Sequence, residues 1–165
     1  MRVSFRENES TEDLLSAKKL YVDYGEWIED DDLLELDCEI ASLRLYRPRF
    51  ELMNRFINQW LQGCYRKLKY IHVSMCGHQR STDDMYPVLL NSIEFQNWNG
   101  YTRARYYPLD TEIPLAECDE NEGTRFDLKD GKDIRRGDGT IATVMITDFD
   151  DVYLFVWHNR FPEKV

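Results

Sequence analysis

The stretch IASLRLYRPRFELMNRFINQWLQGCYRKLKYIHV, Ile40 to Val73, decides the fold. Its two ends carry one spacing. Ile40, Leu43 and Leu45 give apolar-x-x-apolar-x-apolar, and Leu68, Ile71 and Val73 repeat it. Between them Phe50, Met53, Phe56, Ile57, Trp60 and Leu61 recur at three- and four-residue steps, one apolar stripe along a helix. Pro48 suits the helix start, where a missing N–H costs nothing, and Gly63 suits the left-handed position just past its end. The stretch predicts strand, helix and parallel strand, a βαβ unit whose crossover is right-handed. It is scaffold rather than chemistry.

The same spacing recurs on both sides. Ala17, Leu20 and Val22 predict a first strand over Lys19 to Asp23. Asp30 to Asp32 stand before Leu33, Leu34 and Leu36, where carboxylates meet the free N–H groups and positive end of a short helix. After a loop at Cys76 to Arg80, Ser81 or Thr82 caps a helix with Asp83, Asp84, Met85, Val88 and Leu89, which Pro87 shortens or bends. Leu90, Ile93 and Phe95 give the strand spacing a fourth time, although Leu90 also fits as the end of the helix. The central positions Leu20, Leu43, Ile71 and Ile93 stand at steps close to the ~20–29 residues of leucine-rich repeats, and Leu68 to Cys76 matches that repeat once. The expected fold is α/β: a short leucine-rich-repeat-like stack of strand-helix units over residues 17–99, closed by a C-terminal antiparallel β cap over residues 100–165. In the cap, Thr102 to Tyr107, Ile134 to Arg136, Ile141 to Ile146 and Val152 to Trp157 read as strands. Gly137-Asp138-Gly139 and Thr147 to Asp151 read as turns, and Asp110 to Gly123 as an acidic loop. A repeat stack needs such a cap because its last unit otherwise exposes a bare core face.

A chain of 165 residues with 42% hydrophobic and 13% aromatic content is expected to form one domain with a proper core. A net charge of −10 argues against general nucleic-acid or anionic-membrane binding, both of which need basic surface. The N-terminus MRVSFRENES lacks the apolar core of a secretory signal, and no apolar run approaches a membrane span. Cys38, Cys64, Cys76 and Cys118 form no C-x-x-C pair. The expectation is an intracellular protein, cytoplasmic or nuclear, with reduced thiols.

The search for catalytic, metal and cofactor chemistry returns no site. Cys76 and His78 put a thiol near an imidazole, but two nearby letters do not make a catalytic set, and in a leucine-rich-type loop such a Cys satisfies backbone groups. His72, His78 and His158 lack zinc-site spacing. Asp127 to Asp138 departs from the calcium-loop pattern and reads as turn chemistry. One constellation suggests protein binding. If Leu43, Leu45, Ile71 and Val73 face the helices, alternation turns Arg44, Tyr46, Tyr70 and His72 to the opposite sheet face, where Tyr21 joins them. Tyr and Arg on an open face concentrate binding energy, although Tyr is also an ordinary strand former.

ELMNRFINQWLQGCYRKLKYIHV, Glu51 to Val73, resembles the core of the nematode F-box-associated type 2 domain. Asn54, Phe56, Trp60, Gly63 and Leu68 stand at that family's motif positions. DIRRGDGTIATVMI (Asp133 to Ile146) and FVW (Phe155 to Trp157) resemble its ending, and Trp27, Asp32, Leu33 and Leu34 resemble its first helix. The resemblance implies the substrate-recognition region of an F-box type ubiquitin ligase adaptor, not an enzyme and without a cofactor. Its partners would be a protein substrate and, where an F-box is supplied, a Skp-type adaptor and a cullin. No F-box is visible ahead of Leu20, since about twenty mostly polar residues cannot form that helical module. A free-standing interaction domain or decoy without ligase recruitment therefore stays open.

Overall fold

The computed structural model describes residues 15–45, 50–74, 82–101, 103–110, 125–147 and 151–158. Strand β1 (Lys19–Gly25), helix α1 (Asp30–Leu34), strand β2 (Ile40–Leu45), helix α2 (Phe50–Leu61) and strand β3 (Tyr70–Ser74) follow one another. β1 pairs in parallel with β2 and β2 in parallel with β3, so the expected βαβ unit is present and a second precedes it. The predicted stripe of α2 is the buried one: Phe50, Met53, Phe56, Ile57 and Trp60 all lie in the core. Gly63 holds φ +99°, where a side chain would add about 1 kcal/mol of strain. Two residues on, Tyr65 stacks on Phe56 at 4.2 Å and donates its hydroxyl to the Leu34 carbonyl at 2.7 Å, which pins the turn to the end of α1.

In α1 the three aspartates occupy the first turn, and the Asp32 carboxylate accepts the Glu29 backbone N–H at 2.8 Å. Helix α3 (Thr82–Leu89) contains Pro87, which removes one intrahelical donor, and the helix stops two residues later. Helix ends leave carbonyls without partners. Here the Asn54 amide of α2 donates to the carbonyls of Leu89 at 2.9 Å and Asn91 at 3.1 Å.

The remaining strands are β4 (Gln96–Asn97), β5 (Tyr106–Pro108), β6 (Arg125–Asp127), β7 (Lys132–Arg135), β8 (Ile141–Ile146) and β9 (Asp151–Trp157). Seven strands form one mixed sheet in the order β1-β2-β3-β9-β8-β7-β4, while β5 and β6 make a separate antiparallel pair. The direction changes at β3, which is parallel to β2 and antiparallel to β9 from Tyr70↔Phe155 to Ser74↔Asp151.

This corrects the expected repeat stack with a terminal cap. The C-terminal strands do not close a row of repeats. β9 pairs along the whole of β3, so the second half of the chain continues the sheet of the first. The fourth parallel strand expected at Leu90, Ile93 and Phe95 is also absent. Leu90 N–H still bonds the Tyr86 carbonyl at 2.8 Å and Ile93 N–H bonds the Leu90 carbonyl at 3.0 Å, so these backbone groups serve the helix end and its turn. Only Gln96 and Asn97 are extended, and they pair with β7 at the far edge.

Both faces of the sheet are covered. On one, Leu43, Ile71, Val73, Val152 and Leu154 share a core with Met53, Phe56 and Trp60 of α2. On the other, Tyr70, Tyr153, Phe155 and Trp157 pack with Tyr107 of β5 and Phe126 of β6. Alternation explains this layer: Tyr107 and Phe126 point in, while Tyr106, Pro108 and Arg125 stay exposed.

Candidate functional site

The residues expected to form an open aromatic face separate into three groups. Arg44 is exposed and pairs with Asp23 at 3.1 Å, and Tyr21 is half-buried against the second core. Tyr46 lies outside the described residues. Tyr70 and His72 are only 1% and 3% exposed. The face was expected to be open; at Tyr70 and His72 it is closed. Tyr107 meets Tyr70 edge-on at 6.2 Å, and Tyr153 stacks on His72 at 4.5 Å.

Beneath that layer lies a polar row that sequence reasoning missed. Ser42 Oγ lies 2.9 Å from His72 Nδ1, and Asp151 Oδ2 lies 3.3 Å from His72 Nε2, all three side chains buried. The register sets this up: Ser42 pairs with His72 across β2 and β3, and Asp151 pairs with Ser74 across β9 and β3. The types are those of a nucleophile, a base and an orienting acid. The geometry serves another end. Ser42 sits mid-strand and 3% exposed, and the Tyr153 ring stacks on the imidazole. The row sets Ser42 and Asp151 on either side of the imidazole and ties together the three strands at which sheet direction changes.

A second buried network ends the sheet's other side. Arg103, 3% exposed, donates from Nη1 to Thr143 Oγ1 at 2.6 Å and pairs through Nη2 with Asp133. Trp157 Nε1 donates to the same hydroxyl at 3.0 Å, and that hydroxyl donates to Asp133 Oδ1 at 2.9 Å. Thr143 thus uses one donor and two acceptor sites, its full capacity. Burial pushes the Asp133 carboxyl up and lowers the Arg103 guanidinium, each opposed by the pairing between them. The pair floors a cleft of about 670 Å³ whose walls include Ile93, Phe95, Ile134 and Ile141. Phe95 is 47% exposed. A second cavity of about 590 Å³ is lined in part by Tyr86, Trp98, Lys129, Asp130 and Lys132.

The remaining candidates fall as follows. Cys76 and His78 lie outside the described residues. Burial pushes the Cys38 thiol up to about 12, which suppresses the thiolate. Asp127 is bound by Arg105 Nε at 3.0 Å and accepts the Lys129 N–H at 3.1 Å. Asp138 bonds Arg136 at 2.9 Å and the Thr140 N–H at 2.9 Å, so both acids do the turn work expected of them. Among the described residues no cluster of metal-ligating side chains occurs, and no helix is long and apolar enough to cross a membrane.

Five positions carried the resemblance within Glu51 to Val73, and each has a structural task. Asn54 closes α3, Phe56 stacks on Tyr65, Trp60 and Leu68 fill the core, and Gly63 turns the chain. Residues 12–73 match the F-box associated family. That stretch takes in both βαβ units almost to the end of β3, and the resemblance read from the sequence is established there. The F-box associated family is one of protein-interaction domains. Two Caenorhabditis elegans proteins, the uncharacterized proteins F59B2.9 and F59B2.8, are each 24% identical over 99% and 91% of this chain. The chain spans about a third of these relatives, 36% and 32% of their lengths. The E3 ubiquitin-protein ligase hecw-1 of the same organism is 34% identical over 62 residues, 38% of this chain and 5% of the ligase. No solved structure matches the chain.

Proposed function

We propose that this chain is a non-catalytic protein-recognition domain that selects substrates for an F-box type ubiquitin ligase. The observation that carries the reading is the F-box associated match over residues 12–73. The short similarity to an E3 ubiquitin-protein ligase agrees with it, but at 5% of that protein it carries little weight. The family positions build scaffold, so the partner contacts belong on the surfaces that this scaffold displays, among them the neighbourhood of Tyr21 and Arg44.

The test is affinity purification of this chain from cells with the proteasome blocked, read by mass spectrometry. Recovery of a Skp-type adaptor and a cullin beside other proteins supports the ligase role, and the other proteins are then substrate candidates. Partner proteins without adaptor or cullin favour a free-standing interaction domain or decoy. No specific partner at all contradicts both.

A further inference from the structure

β1 is the end strand of the large sheet, with β2 on one side and no strand among the described residues on the other. At seven residues it is far longer than β4, which ends the sheet on the opposite side with two. An end strand leaves a row of main-chain N–H and C=O groups that can pair with a further strand.

Hydrogen-bond parity identifies the groups in that row. The Lys18 carbonyl accepts the Ile40 N–H at 3.3 Å, and the parallel register with β2 runs unbroken from Lys19↔Ile40 to Val22↔Leu43. In a parallel ladder alternate residues turn both main-chain groups to the same neighbour. Lys18, Leu20 and Val22 therefore address β2, while Lys19 and Tyr21 address the outer side.

The side chains of Lys19, Tyr21 and Asp23 share one face of the sheet. Leu20 and Val22 enter the first core, and Tyr21 packs against the second. Lys19 pairs at 2.7 Å with Asp110, just past the covering strand β5, and Asp23 pairs at 3.1 Å with Arg44. All three keep part of their surface open, Lys19 and Asp23 to 22% and 36% of their side chains.

Basic, aromatic, acidic at every second residue is its own complement when the strand is reversed. An antiparallel copy of β1 with its two-fold axis at Tyr21 sets Lys19 opposite the copy's Asp23, and Asp23 opposite the copy's Lys19. Tyr21 then meets Tyr21 of the copy, where an outward-facing pair exchanges both main-chain hydrogen bonds. A slip of two residues in either direction removes both charge pairs, so the register is specified. Charges that guard an edge against unrelated strands here match a strand of the same sequence.

We propose that the outer edge of β1 receives β1 of a second copy of this chain, antiparallel and two-fold about Tyr21, so that the two large sheets join. The contact is isologous, each copy giving the surface that it receives. Such a dimer stands whether or not the chain selects substrates.

The test is sedimentation velocity of the full chain in a concentration series up to about 1 mM, which populates even a weak dimer. The mass is expected to rise from 19.8 kDa toward twice that value. Lys19→Glu and Asp23→Lys each bring like charges together twice and are expected to weaken dimerisation at least about tenfold. An equal mixture of the two variants restores both opposite-charge pairs, and its mass is expected to rise as that of the unsubstituted chain does. Amide hydrogen exchange supplies a readout that needs no substitution: Lys19 and Tyr21 exchange fast at low concentration and slow down as the dimer forms. A chain that stays at 19.8 kDa throughout overturns the proposal, as does undiminished dimerisation of each variant alone. Failure of the mixture to associate, with both variants folded by their unfolding midpoints, also overturns it. So does a dimer in which exchange at Lys19 and Tyr21 is unchanged, since its interface lies elsewhere.

Discussion

Arg136 belongs to the β7–β8 turn, yet its guanidinium lies 5.0 Å over the ring of Trp60 in α2. It also bonds Asp138 and Thr140, so one side chain joins the parallel and antiparallel halves. Arg136→Ala is expected to cost about 1–3 kcal/mol in urea unfolding, through the lost ring contact and charged hydrogen bonds. Arg136→Lys should recover part of it, because the planar fork is lost but the charge is kept. Asp127 offers a pH test. Its hydrogen bond from Arg105 holds the carboxyl below its ordinary value. The contribution to stability is thus full above the unfolded value of about 3.9 and is lost as pH falls through the lower folded value. Both side chains are well exposed, so the effect is small. An NMR titration should show the Asp127 carboxyl moving back up in Arg105→Ala; an unmoved titration contradicts the assignment. At this scale the sequence was legible where a residue's task is local. Gly63 and the turn acids Asp127 and Asp138 have the roles their neighbours suggest. Ser42 and Asp151 were not legible, because their partner His72 is supplied by strand register and not by nearby residues.

Within the elements, β3 carries the change of sheet direction and the polar row is its fastening. Ser42→Ala leaves His72 Nδ1 buried without its partner and is expected to cost about 1–3 kcal/mol. His72→Phe keeps the stack on Tyr153 and removes the demand for a partner. The double variant should therefore lose less than the sum of the singles, with a coupling of about 0.5–3 kcal/mol in urea unfolding. Strict additivity would show that the row does not act as a unit. Periodicity identified α2 and β8 correctly because each shows a clean pattern on its own. It misread Ile93 and Phe95 as a strand, since an apolar spacing of this kind also suits a helix end at Leu90 followed by a turn. Those residues instead furnish a wall of the cleft beside β4.

For the whole molecule, the long-range pairing of β3 with β9 is what the sequence could not show. Strands at both ends of the chain were readable, but their meeting in one sheet depends on contacts about eighty residues apart in sequence. The covering strand β5 hid Tyr70, and Tyr153 of β9 hid His72, for the same reason. Native-state hydrogen exchange should find β3 and β9 slowest and the edge strands β1 and β4 fastest. Exchange in β9 as fast as in β4 would contradict the shared sheet.

The claim that most needs a direct test is that this chain brings substrates to ubiquitination. The measurement is quantitative mass spectrometry of ubiquitin remnants on the captured proteins, in cells with and without this chain. The account predicts that loss of the chain lowers ubiquitination of those proteins and raises their abundance. Unchanged remnants and abundance, with binding intact, would contradict substrate selection.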